Sequence, residues 1–135
     1  MKEEEMENLY ITFQQTIESI IKDKRKYPKN KKLLDNFKAK INLGLQIEED
    51  SYFWVNLITG EGNFNLNRGK LEEYDLEITS APEDLLFFAN GENSTIHMLF
   101  KKNRFGNKKL KFSKGSNGKR NFGILLKLSK ILVLD

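Results

Sequence analysis

Apolar residues near the start of the chain recur at steps of three and four. Met6, Leu9, Tyr10, Phe13, Ile17, Ile20 and Ile21 fall on one face of a helix running from about Glu3 to Lys24. A basic stretch, Lys22 to Lys26, suits the negative end of that helix. Tyr27-Pro28-Lys29-Asn30 stops it. A short helix or extended lead-in is expected from Lys31 to Lys38.

The period then switches to two. Ile41, Leu43, Leu45 and Ile47 alternate with polar residues and glycine, which predicts a strand. A turn at 48–50 leads to a second strand with Tyr52, Trp54, Asn56 and Ile58 on one side and Phe53, Val55 and Leu57 on the other. Apolar groups on both sides suggest that both faces are covered. Turns at 60–62 and 67–70 flank a short strand with Phe64 and Leu66 inward. Tyr74, Leu76 and Ile78 then alternate against Asp75, Glu77 and Thr79. Together, residues 40–79 read as an antiparallel meander.

Ser80-Ala81-Pro82-Glu83 looks like a helix start, with Ser80 as cap and Glu83 completing a capping box. That helix stops at Asn90-Gly91, and a second starts at Asn93 or Ser94. A last strand, "KLKFS", places Leu110 and Phe112 inward, and a basic glycine loop at 114–120 leads to a closing helix from near Asn121. Strands in a run with helices set around them argue for an α+β domain on a five-stranded sheet. One domain is expected over 1–135: an N-terminal amphipathic helix at 1–26, the meander, then helices, last strand and final helix from 80 onward.

The final helix is too apolar for a surface helix. Nine of the residues from Phe122 to Leu134 are apolar. On a helical projection its polar strip is narrow: Gly123, Lys127 and Lys130. The apolar arc exceeds half the circumference, against the roughly 100° stripe that packing on one core requires. One face can meet the sheet; the rest needs a bound apolar ligand, a second subunit, a membrane, or burial under the N-terminal helix.

Composition narrows the function classes. The 135 residues contain no cysteine, so disulfide and thiol chemistry are absent. The acidic start lacks the pattern of a secretory signal, and the apolar end is shorter than a bilayer span. Val133-Leu134-Asp135 does not match a Ser-Lys-Leu address. A cytoplasmic protein is expected. Net charge is −6 over residues 1–92 and +10 over 93–135. The basic part suits phosphates or anionic headgroups, or simply keeps a greasy region soluble.

Catalytic and metal signals are weak. His97 is the only histidine, too few for a zinc set, and reads as an ordinary helix residue. No Gly-x-Ser-x-Gly elbow occurs. Gly115-Ser116-Asn117-Gly118-Lys119 has two residues between its glycines where a phosphate loop needs four, leaving only anion affinity at the following helix. Asn93-Ser94-Thr95 is a glycosylation sequon that, without secretion, is expected to stay unused. Glu48-Glu49 and Glu72-Glu73 read as solvated surface. No cofactor or metal is expected.

The segments "DLEITSAPEDLLFFANGENSTIHMLF", "KLKFSKG" and "GILLKLSKIL" resemble the sterol-carrier-protein type 2 domain family. Thr79-Ser80, Glu83-Asp84-Leu85, Gly91, Lys109-Leu110-Lys111-Phe112 and Leu125-Leu126-Lys127-Leu128 occupy the places of that family's pattern. Upstream, "YFWVNLITGEGNFNLNRG" resembles its Trp-bearing strand and Gly-x-Gly hairpin. The resemblance spans about residues 33–132. The stretch between Phe100 and Leu110 is longer than the family's and lacks its Asn-Pro step, and the loop 114–120 is extended.

The resemblance implies a mostly antiparallel five-stranded sheet with helices over one face. It implies an apolar tunnel between them, closed by the C-terminal helix, that takes a sterol, fatty acid, acyl-CoA or other lipid without catalysis. The residues expected as pocket or lid are Phe87, Phe88, Met98, Leu99, Phe105, Phe112, Phe122, Leu125, Leu126 and Leu132. Lys114, Lys119 and Arg120 are expected to hold a headgroup or phosphate. An anionic membrane surface is a further expected contact. The competing reading is an interaction or homodimerisation module using the final helix. Single-stranded nucleic acid, held by the basic and aromatic run from Lys101 to Arg120, ranks third, and enzyme activity last.

Overall fold

The computed structural model describes residues 2–133; the last two residues of the apolar terminal segment, Leu134 and Asp135, lie outside them. The first helix, α1, spans Glu3–Arg25 and buries Phe13, Ile17, Ile20 and Ile21. Glu3, Glu4 and Glu5 occupy its first turn and Lys22, Lys24 and Arg25 its last, matching the helix dipole at both ends. A single 3-10 turn at Pro28–Asn30 separates it from α2, Lys31–Asn36. The short-helix option for residues 31–38 is therefore the one adopted.

The strands are β1 Ala39–Glu48, β2 Ser51–Gly60, β3 Asn63–Arg68, β4 Leu76–Ser80 and β5 Leu110–Ser113. They form one sheet in the order β3-β2-β1-β4-β5. Every pairing is antiparallel except β1 with β4, which is parallel. The β2–β3 hairpin turns through Glu61 and Gly62, at φ 53° and 80°, as a two-residue turn of this handedness requires. The Arg25 guanidinium donates to the Gly62 carbonyl and so ties α1 to that turn.

The expected meander ends at β3. Instead of pairing with β3, β4 crosses to the far side of β1. Residues 69–75 make the crossing as a strap over the outer face of the sheet. Asn56 donates to the Gly69 carbonyl at 3.0 Å; Asn42 donates to the Leu71 carbonyl at 3.1 Å and accepts from its N–H at 2.8 Å. These two buried asparagines explain how a polar residue survives mid-strand: each side chain finds its partner in the backbone of the strap.

The other face of the sheet carries the core. Ile41, Leu43 and Leu45 of β1 join Val55 and Leu57 of β2, Leu66 of β3, Leu76 and Ile78 of β4 and Leu110 of β5. Against them pack α1, α2 and three more helices: α3 Pro82–Ala89, α4 Thr95–Phe100 and α5 Phe122–Leu132. Two ties hold α1 over the β3 edge. Arg68 bonds both Glu3 and Glu7 at 2.8 Å, and Tyr10 donates to the Leu66 carbonyl at 3.1 Å.

Ser80 is not the helix cap the sequence suggests. It ends β4, and its hydroxyl donates to the Lys109 carbonyl at 2.5 Å. Ala81 stands at the cap of α3 without a side-chain bond, and Glu83 pairs with Arg104 at 2.9 Å. By contrast, Ser94 caps α4, accepting from the His97 N–H at 3.1 Å.

Candidate functional site

An apolar cavity lies between the sheet and the helices. α1 contributes Phe13, Thr16, Ile17 and Ile20, spaced as one helical face. The sheet contributes Leu43, Ile78 and Leu110. Leu85, Leu86 and Phe88 come from α3, and Leu125, Leu128, Ser129 and Leu132 from α5. Its volume is about 40 Å³. No charged side chain lines it. The Ser129 hydroxyl is taken up by the Leu125 carbonyl at 2.9 Å, so it offers no unmet polar group. Such a space does not attract water. It can hold only apolar matter.

The family resemblance implies a tunnel here, and the structure has a small cavity. Ligand pockets run from roughly 300 Å³ upward. A lipid chain therefore fits only after a wall moves.

Of the residues expected to form pocket or lid, Phe88, Leu125 and Leu132 line this cavity. Met98 is fully buried in the core, and Leu99 is half-buried against it. Phe105 is half-buried in the loop after α4, with the Arg104 guanidinium 4.5 Å from its ring centre. Phe87, Phe122 and Leu126 are exposed, by 46%, 43% and 42%. The final helix thus has both faces the sequence implies: Leu125, Leu128 and Ile131 inward, Phe122 and Leu126 outward.

A second aromatic group sits at the start of α5. Phe112 and Phe122 have ring centres 5.6 Å apart, and the Arg120 guanidinium lies 4.6 Å over Phe112. Leu110 and Phe112 share one face of β5, so Phe112 extends the Leu110 wall of the cavity toward Phe122. Lys114 and Lys119 are exposed in the adjoining loop. That loop is docked, since Ser116 Oγ accepts from the Tyr74 N–H at 3.0 Å and its own N–H donates to the Tyr74 carbonyl at 2.9 Å. Gly115 permits the approach: a Cβ there would lie 2.6 Å from the Asp75 carbonyl oxygen.

Position α1 was legible as an amphipathic helix, but its share in the cavity was not. Phe13, Ile17 and Ile20 carry the same periodicity whether they meet a flat core or wall a space. The long loop 101–109 is also more ordered than its basic composition suggests. Asn103 donates to Gln46 Oε1 at 2.8 Å, and its Oδ1 accepts from the N–H groups of Phe105 and Asn107 at 2.9 and 3.1 Å.

The remaining concavities are poorer sites. A broad surface hollow of about 820 Å³ mixes Lys38 and Lys40 with Glu72, Glu73 and Asp75 and is open to solvent. Asp84 is a buried carboxylate in the first turn of α3, with Lys109 Nζ 3.5 Å from Oδ1 and no hydrogen-bond partner on Oδ2. Burial raises its pKa above the ordinary value, with Lys109 opposing. It does not line the apolar cavity. Among the described residues, no cluster of His, Asp or Glu could hold a metal ion, and no helix is long and apolar enough to cross a membrane.

No family model matches the sequence, and no curated protein matches it. Solved structures do. Sterol carrier protein domain 2 of Helicoverpa armigera superposes with a TM-score of 0.61 at 14% identity, over 87% of this chain and 83% of that one. Sterol Carrier Protein 2 Like 2 from Aedes aegypti gives 0.57 at 13% identity, over 89% of this chain and 95% of that one. A UbiJ-SCP2 ubiquinone synthesis protein gives 0.58 at 10% identity, over 91% and 87%. By these likenesses the chain has the sterol carrier protein type 2 fold.

Proposed function

We propose that the protein binds or transfers a hydrophobic ligand, without catalysis, between the sheet and helices α1, α3 and α5. The observation that carries this reading is the cavity: almost entirely apolar and without a charged side chain, walled by sheet and helices, and set in a fold shared with sterol carrier proteins. The ligand class is a lipid, fatty acid or acyl-CoA.

The mobile wall in this reading is α5. Its inward residues Leu125, Leu128 and Ile131 are each 2% exposed or less. Burying three such side chains contributes roughly 5–9 kcal/mol, and each ligand methylene about 0.8 kcal/mol. A ligand that displaces them must therefore bury on the order of 6–11 methylenes. Short chains should not open the site. The ligand mouth is placed at the start of α5, where Phe112 and Phe122 continue the wall and Arg120, Lys114 and Lys119 supply positive charge for a carboxylate or phosphate. Phe87 and Leu126 become lid surface, and Met98, Leu99 and Phe105 support the helices behind it.

Titrating the delipidated protein with fluorescent fatty acids of increasing length tests this. Saturable micromolar binding that sets in only at longer chains is expected. Absence of binding at every length would remove the reading. A dimerisation module is the alternative, and sedimentation of the ligand-filled protein separates them: a monomer is expected.

A further inference from the structure

Ile96 and Phe100 are 70% and 68% exposed, the highest values among the exposed large hydrophobic residues described. They stand four residues apart on α4 and so share one face. Packing does not explain them, because Met98, fully buried, already supplies the inward side of this helix. Their surroundings are cationic. The Lys108 ammonium lies 5.9 Å from the Phe100 ring centre and donates to the Phe100 carbonyl at 3.0 Å. Lys102 faces Lys108 across an isolated antiparallel bridge, which directs both side chains to one side. Lys101 follows Phe100 directly, and all three lysines are exposed. No Asp or Glu occurs anywhere from residue 93 to 133.

We propose that α4 and the lysines after it form a docking face for an anionic membrane surface. Ile96 and Phe100 enter the boundary between headgroups and acyl chains, while Lys101, Lys102 and Lys108 meet lipid phosphates. The pairing of features selects this occupant. Two bare apolar side chains on a charged rim match a surface that is apolar just beneath a charged layer. Three lysines, each a point charge on a flexible stem, suit a diffuse phosphate layer better than a single bidentate anion. A nucleic acid would satisfy the lysines but offers nothing comparable to the aliphatic Ile96.

The face is separate from the cavity, since neither Ile96 nor Phe100 lines it. Membrane docking and ligand binding can therefore fail independently. The test is flotation of the full chain with vesicles of phosphatidylcholine alone or mixed with phosphatidylserine. Wild type should float with the mixed vesicles, weakly with the neutral ones, and less as salt rises. The double variant Ile96→Ser, Phe100→Ser should bind the mixed vesicles at least about tenfold more weakly, given the apolar surface removed. Lys101→Gln with Lys102→Gln should lose the preference for phosphatidylserine. Ile11→Ser, which removes an exposed apolar residue on α1 instead, should bind as wild type. Each variant should keep the wild-type circular dichroism and fatty-acid affinity in solution. Wild type that ignores both vesicles, serine and glutamine variants that bind like wild type, or loss confined to the α1 variant would each overturn the proposal.

Discussion

Leu125 of α5 and Leu43 of β1 wall the same apolar cavity, one from the helix layer and one from the sheet. α5 lines that space with Leu125, Leu128, Ser129 and Leu132 and leaves Phe122 and Leu126 exposed on its other side. Changing the volume of the cavity should change ligand binding in opposite directions from the two sides of the equilibrium. Ser129→Val replaces a hydroxyl in the cavity wall by methyl groups. The ligand-free protein should keep or gain stability, by up to about 2 kcal/mol, as a cavity-filling change does, while affinity for a long-chain fatty acid falls about tenfold. Leu125→Ala should cost the ligand-free protein roughly 3–5 kcal/mol, and saturating ligand should restore part of that loss. Urea unfolding with and without ligand reads both.

Asn103 is the pin of the long loop between α4 and β5. It is buried, and its side chain meets Gln46, Phe105 and Asn107 through three hydrogen bonds. Asn103→Ala should destabilise the protein by roughly 1–3 kcal/mol, because it strands Gln46 Oε1 and two backbone N–H groups. Faster amide exchange at Phe105 and Asn107, with β1 to β3 unchanged, is the expected pattern.

Asp84 sets a pH dependence of definite sign. Burial raises its folded-state pKa above the ordinary 3.8, with Lys109 opposing. The folded protein then holds this proton more tightly than the unfolded chain. Its contribution to stability is complete below the ordinary carboxylate value and is lost as pH rises through the raised one. Asp84→Asn removes this dependence. Urea unfolding across that range should show the variant gaining on wild type as pH rises toward neutrality. A difference that stays constant with pH would contradict the assignment.

The sequence carries much of this fold because its signals are local. Phe13, Ile17 and Ile20 mark α1 by spacing alone, and the alternation of Ile41, Leu43 and Leu45 marks β1 whichever strand lies beside it. The same locality hides the crossing of β4. Leu76 and Ile78 alternate identically in parallel and antiparallel pairs, and what seats β4 beside β1 is a strap whose backbone bonds to Asn42 and Asn56. Two asparagines amid apolar strand residues were the available sign. Ser80 misleads for a related reason. A serine ahead of Pro-Glu reads as a cap, but its hydroxyl is committed to the Lys109 carbonyl, just before the neighbouring strand. The cavity was legible only through its surplus, the excess apolar arc of α5. Its walls come from elements distant in sequence, and no local pattern tells Ile17 beside a space from Ile17 beside a side chain.

Methyl NMR of the delipidated protein, titrated with a long-chain fatty acid, tests the central claim most directly. Binding between the layers predicts large shifts at Leu43, Ile78, Leu110, Leu125 and Leu128, with Ile58 on the outer sheet face unmoved. Shifts confined to surface methyls such as Ile58 and Ile96, or no shifts at saturating ligand, would contradict it.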